Sequence, residues 1–144
     1  MKVNEAMTRD VRVANPDETL QQAAKLMASL DAGVLPVGEN DRLVGMITDR
    51  DIAIRGIAVG KGPETKVRDV MTEEVKYCFE DQDVDEVIQN MGDIQVRRLP
   101  VLNRDKRLVG ILSLGDVATV GSKNATGEAL QKISRPGGEH SQTG

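Results

Sequence analysis

Tryptophan is absent from this chain, and tyrosine, phenylalanine, cysteine and histidine each occur once. Each scarcity closes off a class of chemistry. A lone Cys78 cannot form an intrachain disulfide and argues against a cysteine-based metal cluster. A lone His140, set in a polar stretch, argues against a histidine triad or a histidine-rich zinc site. With Tyr77 and Phe79 as the only aromatic side chains, any wall facing a flat ligand must be mainly aliphatic. No apolar run approaches the ~20 residues that span a bilayer, and the amino terminus lacks the basic-then-apolar pattern of a signal peptide. A soluble, cytoplasmic protein is expected, without a membrane partner. Positive charge is also in deficit: 19 Lys and Arg against 23 Asp and Glu leave a net charge of −4 over 144 residues. A nucleic-acid partner, which needs a basic face, is therefore not expected, whereas a local basic pocket for one small anion is.

What the chain does have is duplication. Val3-Asn4-Glu5-Ala6-Met7-Thr8 returns as Val67-Arg68-Asp69-Val70-Met71-Thr72, and Leu35-Pro36-Val37 as Leu99-Pro100-Val101, both at an offset of 64. Leu43-Val44-Gly45 returns as Leu108-Val109-Gly110 at an offset of 65, so the second copy has one extra loop residue. Copies of about 55 residues bury too little apolar surface to stand alone, so they should pack together. The reading is repeat one at 1–60, a Gly- and Pro-containing linker at 61–66, repeat two at 67–121, and a polar, partly disordered tail at 122–144.

Within a repeat, Val11 and Val13 alternate with polar residues and read as a short strand. Leu20, Ala23, Ala24, Met27 and Leu30 recur at steps of three and four, which predicts a helix over 19–31 with Thr19 and Gln22 as a capping box. Val84, Val87, Ile88, Met91 and Ile94 form the matching stripe. The Leu-Pro-Val segments and the apolar runs 43–47 and 108–112 read as strands, followed by helices at 49–58 and 114–120. Each unit is thus strand–helix–strand–strand–helix, an α/β chain of the α+β type. A further short helix is expected at 126–133, with disorder from Arg135 onward.

The chemistry concentrates where the last strand of each repeat meets its helix. Gly45-Met46-Ile47-Thr48-Asp49-Arg50-Asp51 returns as Gly110-Ile111-Leu112-Ser113-Leu114-Gly115-Asp116. A hydroxyl at a helix start can join backbone N–H groups in holding an anion. A carboxylate three residues on can accept from a pair of sugar hydroxyls, as acidic side chains do in dinucleotide-binding folds. The same Thr-x-x-Asp and Ser-x-x-Asp spacing also suits simple helix capping, and both readings stand. Asp49 beside Asp51 serves the helix dipole better than a metal, so no metal is expected. Tyr77 and Phe79 read as core packing.

The double pattern Met-Thr, Leu-Pro-Val and Leu-Val-Gly-x-x-[Thr/Ser]-x-x-Asp resembles the CBS domain, named for cystathionine beta-synthase. Paired copies, as in inosine-monophosphate dehydrogenase and the gamma subunit of AMP-activated kinase, form an adenine-nucleotide-sensing module. The resemblance covers residues 3–121 and leaves no room for a catalytic domain. It implies a pseudo-twofold pair of repeats with two clefts, and a non-catalytic sensor of AMP, ADP, ATP or NAD. The likeness sets Thr48 and Asp51 with Cys78, Val96 and Leu99 in the first cleft. It sets Ser113 and Asp116 with Ala14, Ala32 and Leu35 in the second, and Met46 and Ile111 along the adenine edge. Basic residues before the Leu-Pro step imply Arg97 and Arg98 as phosphate ligands of the first site, their repeat-one equivalents being Gly33 and Val34. Arg50 is the candidate reaching toward the second site, where Gly115 cannot reciprocate, so the two clefts should differ in affinity. The resemblance further implies a homodimer and a regulated protein partner of unknown identity. The alternative is a dimeric scaffold that binds no nucleotide.

Overall fold

Each Leu-Pro-Val segment becomes one arm of an antiparallel hairpin, and that hairpin carries the hydroxyl–carboxylate motif at its end. The structure, a computed structural model, describes residues 1–118 and 123–134, the side chains of 123–126 excepted. In chain order the elements are α1 (Val3–Ala6), α2 (Leu20–Leu30), β1 (Val34–Glu39), β2 (Arg42–Thr48) and α3 (Asp49–Asp51), then β3 (Cys78–Phe79), α4 (Val84–Asp93), β4 (Arg98–Leu102), β5 (Leu108–Ser113), α5 (Leu114–Val117) and α6 (Lys123–Ile133). The expected helix at 49–58 is present but changes pitch: α3 continues as a π-helix, Ile52–Gly56, and a 3₁₀ turn, Ile57–Val59. Repeat two follows the β-α-β-β-α order, and repeat one shares it with its first strand reduced to a single bridge at Ala14, two CBS-like repeats of a mixed α/β fold. The end of the helix expected at 114–120, the disorder expected from Arg135 and His140 all fall outside the described residues.

The chain packs as two units that cut across the duplication. A contiguous unit comprises Arg12–Val75; a split unit comprises Met1–Val11 with the chain from Lys76 onward. Each repeat's opening Val-x-x-[Ala/Val]-Met-Thr arm therefore packs with the other repeat's hairpin.

In the contiguous unit, Thr19 Oγ accepts the Gln22 N–H at 3.1 Å and Gln22 Oε1 accepts the Thr19 N–H at 2.9 Å, the reciprocal cap that the spacing predicts. The capped helix buries Leu20, Ala23 and Met27 against Leu35, Val37 and Ile47, and the arm adds Val67, Val70 and Met71. Large side chains of this kind stabilise by about 1.5–3 kcal/mol each when fully buried. Met46 and Thr72 exchange both backbone hydrogen bonds, at 2.9 and 2.8 Å. Glycine is required opposite that contact, because a Cβ on Gly45 would lie 2.7 Å from Met71 Sδ and 2.9 Å from the Thr72 carbonyl oxygen. The strand expected around Val11 and Val13 does not form. Only Ala14 pairs, in a parallel bridge to Val37. Val13 stays 38% exposed, and pairing stops because Pro16 has no N–H and the Asp17 N–H turns back onto Asn15 Oδ1 at 2.9 Å.

The split unit repeats this plan with a fuller sheet. β3 pairs in parallel with β4, Cys78 opposite Val101, and β4 pairs antiparallel with β5. Thr8 and Ile111 exchange both backbone hydrogen bonds at 2.9 Å, and a Cβ on Gly110 would lie 2.6 Å from Met7 Sδ. The α4 stripe Val84, Val87, Ile88 and Met91 is buried as the periodicity predicts. The stretch expected as a tail contains a packed helix, α6, longer than the predicted 126–133. Gly92 lets it approach α4 so closely that a Cβ there would lie 2.8 Å from the Ala129 Cα. Ala129 is buried, Lys132 Nζ sits 2.6 Å from Asp93 Oδ1, and Gln95 Nε2 donates to the Lys132 carbonyl at 2.9 Å. Tyr77 departs from the core-packing expectation. It is 38% exposed and meets Phe79 edge-on at 5.6 Å, while the Arg104 guanidinium covers the Phe79 ring at 4.1 Å.

Candidate functional site

The hairpin register delivers Thr48 to the end of β2, opposite Val34, with an extended backbone that stops the strand and caps α3. Thr48 Oγ1 accepts the Asp51 N–H at 2.9 Å, and Asp51 Oδ2 accepts the Thr48 N–H at 3.0 Å. Asp51 is thus held by its own main chain through one oxygen. Its other oxygen, Oδ1, lies 3.9 Å from Nη1 of Arg55, one turn further along. That same Nη1 donates at 3.4 Å to the Met71 carbonyl and to Thr72 Oγ1 on the arm. Sequence reasoning missed Arg55; the signal available was its (i, i+4) spacing from Asp51, the favourable order for an acid–base pair on a helix.

The second motif has the same skeleton and a different hold on its carboxylate. Ser113 Oγ accepts the Asp116 N–H at 3.1 Å, and the Leu114 N–H donates to the Arg97 carbonyl at 2.9 Å, as Asp49 donates to Gly33 in the first. Asp116 Oδ2 accepts from Thr8 Oγ1 at 3.3 Å. The arm hydroxyl reaches the carboxylate directly here, where Thr72 meets Arg55 in the contiguous unit.

The remaining candidates divide by accessibility. Ala14, Leu35, Cys78 and Leu99 are buried members of their own units' cores. Burial pushes the Cys78 thiol up to about 12, so it stays neutral at physiological pH. Ala32, Met46, Val96 and Ile111 are half-buried, and Arg50, Arg97 and Arg98 are exposed. Pairing sets Arg98 opposite Ser113, so the backbone of Arg97 and Arg98 lies beside the second motif, whereas the family likeness allotted both to the first. Among the described residues no group of three or more His, Cys, Asp and Glu is placed to hold a metal ion, and no helix is long and apolar enough to cross a membrane.

The CBS-domain model matches this chain twice, at residues 3–55 and 67–123. The chain belongs to the CBS-domain family. A CBS domain-containing protein, YhcV of Bacillus subtilis, is 40% identical over 133 residues, 92% of this chain and 94% of its own. Hypoxic response protein 1 of Mycobacterium tuberculosis is 36% identical over 132 residues, 90% of this chain and 92% of its own. A crystal structure of Hypoxic Response Protein I, with two coordinated zinc ions, matches 85% of this CBS chain and all of its own at a TM-score of 0.76 and 36% identity. The CBS domain pair of protein MJ0100, in complex with 5′-methylthioadenosine and S-adenosyl-L-methionine, matches at a TM-score of 0.71 and 26% identity, over 83% of this chain and 94% of that one.

Proposed function

We propose that this CBS pair is a non-catalytic regulatory sensor that binds an adenosine-containing compound, AMP, ADP, ATP or NAD, through its two hydroxyl–carboxylate motifs. The observation that carries the reading is the recurrence, in each unit, of a Thr or Ser hydroxyl and an Asp carboxylate at a strand-to-helix junction, in a family with a member solved on adenosyl ligands. Thr48 with Asp51 and Ser113 with Asp116 would receive ribose and the first phosphate, and the half-buried Ala32, Met46, Val96 and Ile111 would meet the base. Arg97 and Arg98 serve phosphate at the second motif, where their backbone lies, and Arg50 is a further candidate. A ligand acts on a regulated protein partner through its differential affinity for two states, which is all that coupling requires. The pair works in the cytoplasm as a homodimer, a role suited to the exposed Leu30, Ile54, Ile57 and Val59.

Thermal unfolding tests the proposal. With AMP, ADP, ATP, NAD or S-adenosylmethionine at a hundredfold over its dissociation constant, stability should rise by about 2.7 kcal/mol. No shift with any of them, in protein confirmed to carry no copurified ligand, rejects it. The second reading, a scaffold whose motifs only cap helices, is favoured by the closed Thr48–Asp51 pair. It predicts Asp51→Asn and Asp116→Asn variants with unaltered partner binding and no nucleotide affinity to lose.

A further inference from the structure

The two motifs differ in where a cation stands. At the second, Arg97 and Arg98 precede the Leu-Pro step and Arg98 pairs with Ser113. At the first, Gly33 and Val34 occupy those places, and the position 65 residues after Arg55 is Val120. Arg55 is therefore a cation that only the first motif has, one helical turn beyond the carboxylate that would grip ribose. We infer that Arg55 is the specificity-determining residue of the first motif, the group that makes it select a phosphate-bearing adenosine compound over an uncharged nucleoside. This deepens the nucleotide reading and rests on it.

Three observations support the assignment. All the contacts of Arg55 pass through Nη1 and are long, 3.4, 3.4 and 3.9 Å, so among the described residues Nη2 and Nε have no partner. The side chain is half exposed and lines an open groove of about 340 Å³ with Met71, Thr72, Glu73 and Glu74. The other guanidinium on that groove, Arg68, is already held by Asp17 through Nε at 2.9 Å and Nη2 at 2.7 Å. A planar fork with unused donors beside a diol acceptor matches a sugar phosphate, whose hydroxyls and phosphate lie about one helical turn apart. AMP, which differs from adenosine by one phosphate alone, is the probe that isolates the contribution of this guanidinium.

Calorimetric titration of AMP and adenosine decides the matter, with Asp116→Asn silencing the second motif. In that background Arg55→Gln should weaken AMP by about tenfold or more, the scale of one lost charge-assisted hydrogen bond, and leave adenosine within about twofold. Arg55→Lys should restore part of the AMP preference. Equal losses for AMP and adenosine would show a merely structural role and overturn the inference, as would unchanged AMP binding. Should Asp116→Asn unfold the protein, Arg55→Gln in the otherwise unaltered chain gives the answer as the loss of one of two AMP binding steps. If the unaltered protein binds neither compound, the nucleotide reading itself has failed, and the role of Arg55 falls with it.

Discussion

The contiguous and split units are built from near-copies of one sequence, yet each solves the same three problems with different residues. Asp17 and Asp81 stand 64 residues apart at equivalent positions, and each is clasped by an arginine, Arg68 in one unit and Arg104 in the other. Those arginines are not equivalent in sequence. The motif carboxylates show the same divergence: Asp51 is closed onto the Thr48 backbone and faces Arg55, whereas Asp116 takes the Thr8 hydroxyl. The helix faces diverge most. The split unit lays α6 on α4, while the contiguous unit leaves Ile54, Ile57 and Val59 more than half exposed. Duplication preserved the backbone plan and the apolar skeleton; polar partners were free to be drawn from wherever the fold brought one within reach.

The largest test of this comparison removes residues 1–8. The split unit would lose Val3 and Met7 from its core, at least ~3 kcal/mol, while the contiguous unit keeps every core residue. Amide exchange should rise sharply at Ile111 and stay slow at Met46; equal acceleration at both would refute the division into units. A smaller effect tests the caps. Thr48→Ala and Ser113→Ala each remove the hydroxyl that accepts a helix-start N–H, and each should cost about 0.5–2 kcal/mol. Urea midpoints of the two variants measure the losses, and an unchanged midpoint in either would mean that its hydroxyl contributes nothing as a cap.

The smallest effect is acid titration of the two exposed ion pairs. The Arg68 and Arg104 side chains, by hydrogen bonding, hold the carboxyls of Asp17 and Asp81 below their ordinary value. A carboxyl lowered on folding stabilises at pH above its unfolded value, about 3.9, and that contribution fades as pH falls through the folded value. Melting temperature should therefore drop slightly below pH 4, and Asp17→Asn with Asp81→Asn should flatten that part of the profile. Because both pairs face solvent, salt should weaken the effect.

Much of this arrangement was legible from residue order. The Leu20–Met27 stripe, the Thr19–Gln22 cap and the strand runs ending in Thr48 and Ser113 are local features, set by spacing within a few residues. The pairing of each motif hydroxyl with the N–H three residues on was legible for the same reason. The exchange of arms was not. Val3-x-x-x-Met7 and Val67-x-x-x-Met71 carry the same apolar pattern, so each fits either hairpin by composition, and only the chain path decides. Val11 and Val13 misled because alternation over so few residues does not reveal the turn at Asn15. Arg55 offered only the weak signal of its spacing from Asp51, because its other partners, Met71 and Thr72, lie on the exchanged arm.

The crossing of the arms sets an order on biosynthesis. Residues 12–75 can close their core as soon as the ribosome has released them. Val3 and Met7, made earlier, have no seat until Ile111 and its neighbours emerge. Val3 and Met7 are thus fastened only after residues made much later, and a nascent chain stalled before β5 would leave both side chains for a chaperone to shield.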